Sequence, residues 1–199
     1  MYKILFIPLF LFATYSYAFE SHPEMQAYVH NLVNDSSSLL NNQQLTEDEK
    51  VAKSHDLIYK NLDLEWMAKY ALGRNKKNLS SEQIANFIKI YSDYIVKTYS
   101  DMIRNYKGQQ GIVKNVQQID DNEFVVKMEI AQTNGQAPIK VDYFIRDIIE
   151  GKGSNLKVSD IITEGVSMIN SQRDEFSSII VNKGFEELIS ELKKKSSTK

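Results

Sequence analysis

The sequence predicts an α+β domain in which a four-stranded antiparallel sheet is covered by helices. Three observations predict it. Apolar residues recur at three- and four-residue spacings from Glu24 to Tyr106, and the period then changes to alternation between Ile112 and Thr163. Turn signals at Asp120-Asp121-Asn122, at Asn134-Gly135 and at Gly151 to Asn155 divide the alternating stretch, too closely spaced for crossover helices. Helical spacing returns from about Val166 to the end of the chain. Helices gathered at both ends of one run of strands make a sheet with a helical cover. Strands with a single apolar face need that cover.

The chain opens with Lys3 and an apolar run from Ile4 to Phe12, followed by Ser16 and Ala18 at the small-residue positions a signal peptidase requires. Residues 1–18 therefore read as a signal peptide, too short to span a bilayer. A single domain is expected over 19–195, with a flexible tail at 196–199.

Met25, Tyr28, Val29, Leu32, Val33, Leu39 and Leu40 place one helix between Glu24 and Asn42. Thr46 with Glu49 is a capping box for a second helix, continued by Val51, Leu57, Ile58 and Leu62. Asp63 can cap a short helix through Trp66, Met67, Tyr70 and Leu72, stopped by Gly73. Ser80 with Gln83 starts the clearest element, a long helix whose stripe includes Ile84, Phe87, Ile88, Tyr91, Ile95, Tyr99, Met102, Ile103 and Tyr106. Gly108 and Gly111 end it.

In the strands, Phe124, Val126, Met128 and Ile130 share one face of theirs, and Ile139, Val141, Tyr143 and Ile145 alternate with mostly polar residues along the next. Leu156 to Thr163 is the fourth strand. Ser167 is an N-cap for the closing helical region, which Gly184 interrupts.

Reactive chemistry is sparse. No cysteine is present, so disulfides, thiolate metal sites and a thiol nucleophile are excluded. His22, His30 and His55 lack zinc-ligand spacing, and no metal is expected. Nucleophile-elbow, Walker and dinucleotide motifs are absent. A formal net charge of −2 offers no global attraction for nucleic acid. Asp142, Asp160 and Glu164 are the acid–base candidates by position near the sheet, but nothing completes a catalytic set around them, so no enzyme is expected. What the chain has in quantity is apolar surface on elements that face one another. Periodicity cannot separate a filled core from a hollow one.

The ordered set of short motifs resembles the MlaC-type, or toluene-tolerance, family of periplasmic phospholipid-binding proteins. It begins at Leu72-Gly73-Arg74 and continues through Ser81-Glu82-Gln83 with Phe87, Thr98-Tyr99, and Tyr106 with Gly108. Pro138-Ile139, Val141-Asp142-Tyr143, Lys157-Val158 and Asp160-Ile161 come next. Glu164-Gly165-Val166-Ser167, Arg173 with Phe176, Gly184 and Leu188-Ile189 complete a set spanning roughly residues 24 to 192. Asn75-Lys76-Lys77 stands where the family usually has an aromatic-basic pair, and Leu156 and Ser159 stand where it usually has Trp and Tyr.

The resemblance implies an NTF2-like cone with an apolar cavity between sheet and helices. It implies a periplasmic, monomeric carrier with no cofactor and no nucleic-acid partner, and with phospholipid as cargo. The carrier would move lipid between an outer-membrane lipoprotein complex and an inner-membrane ABC-type transporter, maintaining outer-membrane asymmetry. Exposing an acyl chain of sixteen or so carbons costs on the order of 10 kcal/mol, so such a carrier must hide it and needs no catalytic group. Within this resemblance the tail-contacting set is expected among Phe87, Tyr91, Ile95, Tyr99, Phe124, Val126, Met128, Val141, Tyr143, Ile145, Val166 and Ile169, chosen for their apolar faces. Arg74 and Arg173 are candidates for a phosphate, against a structural role as ion pair or cap. Two other classes fit the same residues: an interaction adaptor using the aromatic stripe, and a small-ligand α+β enzyme using the carboxylates.

Overall fold

The computed structural model describes residues 22–104, 111–132, 135–148 and 155–197. The expected signal peptide, Tyr106 and Gly108, Asn134, and the turn at 151–154 lie outside them, as do the side chains of Met102 and Ile103. Three helices come first, α1 (Pro23–Leu40), α2 (Glu47–Asn61) and α3 (Leu64–Leu72). A 3-10 turn (Gly73–Asn78) leads to α4 (Ser81–Arg104). The strands are β1 (Gly111–Asp120), β2 (Glu123–Ile130), β3 (Ile139–Asp147), β4 (Leu156–Thr163) and β5 (Val166–Ser167). Helices α5 (Met168–Lys183) and α6 (Phe185–Ser197) close the chain.

The helix boundaries follow the caps. Thr46 and Glu49 form the reciprocal capping box, with Glu49 N–H donating to Thr46 Oγ1 at 3.3 Å and Thr46 N–H to Glu49 Oε2 at 2.8 Å. Ser80 and Gln83 repeat it at 3.1 and 2.9 Å. Asp63 Oδ1 accepts from Trp66 N–H, and Ser167 Oγ from Asn170 N–H. Gly184, at φ 93°, separates α5 from α6, a left-handed conformation that favours glycine. Helix α6 runs through Ser196 and Ser197, into the stretch expected as a tail.

The sheet has five strands where alternation predicted four, in the order β1-β2-β3-β4-β5, every neighbouring pair antiparallel. The fifth comes from Glu164-Gly165, both at positive φ (50° and 82°), which fold Val166 and Ser167 back onto Thr163 and Ile162. Two consecutive positive-φ residues are the mark of a tight hairpin turn. Helix α5 therefore starts at Met168, two residues later than the spacing suggested.

One irregularity shapes the interior. Ile145 pairs with Val158 and Phe144 with Asp160, which leaves Ser159 as an extra residue in β4. This bulge puts Val158 and Ile161, three apart in sequence, on the one face that carries Tyr143 and Ile145. The free edge of β4 is covered by the α2–α3 junction, where Leu62 bridges Val158 and Asp63 N–H donates to Val158 O at 2.9 Å. The filled core is centred on α4, α5 and α6. There Phe87, Tyr91 and Phe176 meet with ring centroids 5.8 to 6.2 Å apart.

Candidate functional site

An apolar cavity of about 270 Å³ lies between α1, α2 and the sheet. Leu32, Ser36, Leu39 and Leu40 of α1 face it, and so do Ser54, Leu57, Ile58 and Asn61 of α2. Both sets follow the spacing of one helix face. Leu62 closes the junction, Tyr99 of α4 and Tyr143 of β3 form one wall, and Val158 and Ile161 of β4 form another.

The serine and asparagine groups in this wall are turned to the backbone. Ser36 Oγ donates to Leu32 O at 2.7 Å, Ser54 Oγ to Val51 O at 2.6 Å, and Asn61 Nδ2 to Leu57 O at 2.8 Å. The surface left for a ligand is chiefly hydrocarbon and aromatic ring. Leu39 and Leu57 also line a depression carrying Asp35, Lys53, Asp56 and Lys60, so a charged rim is contiguous with the apolar interior.

Both tyrosines in the wall are neutral near pH 7. Burial pushes the Tyr143 hydroxyl up to about 12. Burial, and then the nearby Asp160, Tyr143 and Tyr94, hold Tyr99 well above the usual phenol range. The Tyr99 hydroxyl is buried with no hydrogen-bond partner among the described residues.

The residues singled out from sequence fall in several places. Tyr99 and Tyr143 line the cavity. Phe87 and Tyr91 belong to the aromatic core, where Tyr91 Oη donates to Gln172 Oε1 at 2.6 Å. Ile95, Phe124, Val126, Ile145 and Ile169 are buried in the same continuous core. Met128 and Val141 are buried opposite one another across β2 and β3. Val166, on the two-residue edge strand, is 63% exposed. None of these ten lines the cavity. The larger part of its wall comes from the leucines of α1 and α2, whose helical spacing was visible but whose partner surface was not.

Two of the three carboxylates offered as acid–base candidates hold the fold. Asp160 accepts from Ser167 Oγ at 2.5 Å and from the N–H groups of Ile161 and Ile169 at 2.8 and 3.0 Å, tying β4 to the start of α5. Glu164 Oε1 accepts from Lys140 N–H at 2.6 Å, fixing the turn. Asp142 sits opposite Lys127 on the neighbouring strand. Among the described residues no group of histidines and carboxylates is arranged to hold a metal, and no helix is long and apolar enough to cross a membrane. Arg74 and Arg173 line a separate recess and do not reach the cavity.

A family model described as MlaC protein matches residues 30–194. The intermembrane phospholipid transport system binding protein MlaC of Haemophilus influenzae is 28% identical over 137 residues. That match covers 68% of this chain and 63% of the relative, so the chain spans just under two thirds of the length of that protein. A phospholipid-binding protein from Ralstonia solanacearum, solved in complex with a phospholipid, shares the fold with a TM-score of 0.72. It is 21% identical, and the superposition covers 86% of this chain and 96% of that one.

Proposed function

The chain belongs to the MlaC family, and on that premise we propose that it is a periplasmic phospholipid carrier. Acyl chains occupy the apolar cavity under α1 and α2, and the headgroup stays at the charged rim in water. The carrier receives lipid from one membrane-bound complex and delivers it to the other, an outer-membrane lipoprotein complex and an inner-membrane ABC-type transporter. It works as a monomer with lipid as cargo and no cofactor.

The observation that carries this reading is the cavity wall: serine and asparagine groups there are spent on backbone carbonyls, so the interior presents hydrocarbon. A site for polar chemistry would do the opposite, aiming donors and acceptors inward. The names of the relatives support the cargo, since both describe phospholipid. A wall of leucine, isoleucine, valine and two neutral tyrosines grips tails and leaves heads outside, so it discriminates by chain more than by headgroup.

The test is purification of the mature chain from Phe19 without detergent, followed by native mass spectrometry and lipid extraction. Stoichiometric phospholipid on a monomer is the expected result. A lipid-free protein that also takes no lipid from vesicles would refute the carrier reading.

A further inference from the structure

A second concave site, of about 630 Å³, lies where α3, the 3-10 turn and α5 meet. It shares no lining residue with the apolar cavity, so a ligand bound here is independent of any cargo held there. Its centre is Arg173. The guanidinium carbon sits 5.0 Å from the centroid of the Tyr70 ring, and Tyr70 is itself fixed by its hydroxyl donating to Asn170 Oδ1 at 2.9 Å. Gly73, at φ 54°, makes room for it, because a β carbon there would stand 3.2 Å from Arg173 Cδ and 3.3 Å from Cγ. Arg173 is thus held over the Tyr70 ring, partly buried beside the end of α3.

No carboxylate pairs with Arg173, Arg74, Lys76 or Lys77 among the described residues. Lys69, also in the lining, is paired with Glu65, and Asp174 contributes a carboxylate at the edge. Cations still outnumber carboxylates here, on a chain whose net charge is −2. A partly buried guanidinium has five fixed donors and no acceptor, and its planar fork matches a tetrahedral oxyanion.

We propose that this recess binds the phosphate of an anionic phospholipid at a membrane surface, holding the protein against the headgroup layer. Two guanidinium groups and an ammonium line the recess as donors, and a phosphate offers them more acceptor oxygens than a carboxylate does. Arg74 and Lys76 of the lining are exposed, as is Lys77 next in sequence, where they can face a negative plane of mobile headgroups. None of the large exposed apolar residues, Tyr59, Ile112, Ile119, Val166 and Val181, lines it, so the contact is electrostatic and does not insert. A fluid surface lets each phosphate find its own partner, where a folded acidic protein must match fixed positions.

The experiment is co-sedimentation of the mature chain with vesicles of phosphatidylethanolamine containing phosphatidylglycerol, against vesicles of phosphatidylcholine. It is run at low and high salt, with amide chemical shifts followed in parallel as inorganic phosphate is added. The expected result is salt-sensitive binding to the anionic vesicles alone. Arg74→Gln with Lys76→Gln, both exposed, should weaken it by about fivefold per charge removed. Arg173→Gln should abolish it, and Arg173→Lys should restore only part, since the charge returns without the fork. Lipid content of the apolar cavity should be the same in every variant. Absence of vesicle binding, or binding indifferent to all these substitutions, overturns the proposal. Saturable shifts at Tyr70 and Arg173 with inorganic phosphate but no vesicle binding would assign the site to a soluble phosphate and overturn the membrane assignment. Charge-dependent capture by an acidic protein without vesicle binding would overturn it as well.

Discussion

Val141 and Ile161 are both apolar sheet residues, and placing a carboxylate at each should have opposite consequences. Val141 is 5% exposed and lies outside the cavity, whereas Ile161 is partly buried and lines it. In Val141→Asp the lost burial costs about 1.5–3 kcal/mol, and the unpaired carboxylate adds roughly 3–5 kcal/mol. That sum, about 4.5–8 kcal/mol, is comparable to the roughly 5–15 kcal/mol that holds a domain together, so this variant should be largely unfolded. In Ile161→Asp the new carboxylate faces a cavity that water can enter. The expected loss is about 1 kcal/mol, or roughly 2–4 °C in Tm for a chain of this size. Lipid should nevertheless be lost, because tails could enter only by stripping water from the charge. Thermal unfolding followed by circular dichroism, with lipid extraction from the purified variants, reads both effects. If Ile161→Asp unfolds as readily as Val141→Asp, the space under α1 and α2 is ordinary core. If it stays folded and keeps its phospholipid, the tails lie elsewhere.

The geometry fixes three further outcomes. Tyr99→Phe removes a buried hydroxyl that has no partner among the described residues, so Tm should rise by about 2–4 °C, the equivalent of about 1 kcal/mol; a fall would reveal a hydrogen bond made in solution. Asp63 both caps α3 and accepts from Arg146 Nη1 at 3.0 Å, so urea unfolding should show Asp63→Ala losing about 2–4 kcal/mol and Asp63→Asn, which keeps a capping oxygen, about half of that. Equal losses in the two variants would mean that the cap contributes nothing. Tyr91, Tyr99 and Tyr143 have pKa values raised above 10 in the folded state, chiefly by burial, so the folded state holds these protons more tightly than the unfolded chain does. Their contribution is therefore complete below pH 10 and is lost as the pH rises through 12 and beyond, at about 1.4 kcal/mol per pH unit for each tyrosine. Tyrosinate absorbance at 295 nm should then grow together with the loss of helical signal; ionisation of these rings near pH 10 with the fold intact would contradict their burial.

Local chemistry makes much of the architecture legible. Thr46 with Glu49, and Ser80 with Gln83, mark helix starts by reciprocal hydrogen bonds that need no tertiary context. The change of period at Ile112 announces the sheet because side-chain direction alternates in strands whatever they pack against. The two-residue β5 escapes such reading, because two residues have no period and its turn depends on Glu164 adopting a left-handed conformation. Among the predicted tail contacts, Tyr99 and Tyr143 line the cavity, while Phe87 and Tyr91 fill the aromatic core with Phe176.

Caps, helical stripes, alternating strand faces and membership of the MlaC family were all readable in the chain alone. Those are properties of neighbours in sequence, or of an ordered set of short motifs. Which apolar faces meet with no space between them, and which enclose a hollow, depends on how the elements are brought together. The stripes on α1 and α4 look alike as sequence, yet one borders the cavity while much of the other is buried against α5 and α6. The deciding features are relations across the chain: the Ser159 bulge that brings Val158 and Ile161 to one face, and the Leu62–Val158 bridge that sets α2 against the sheet. Periodicity specifies the direction in which a side chain points and carries no information about the distance to what it meets.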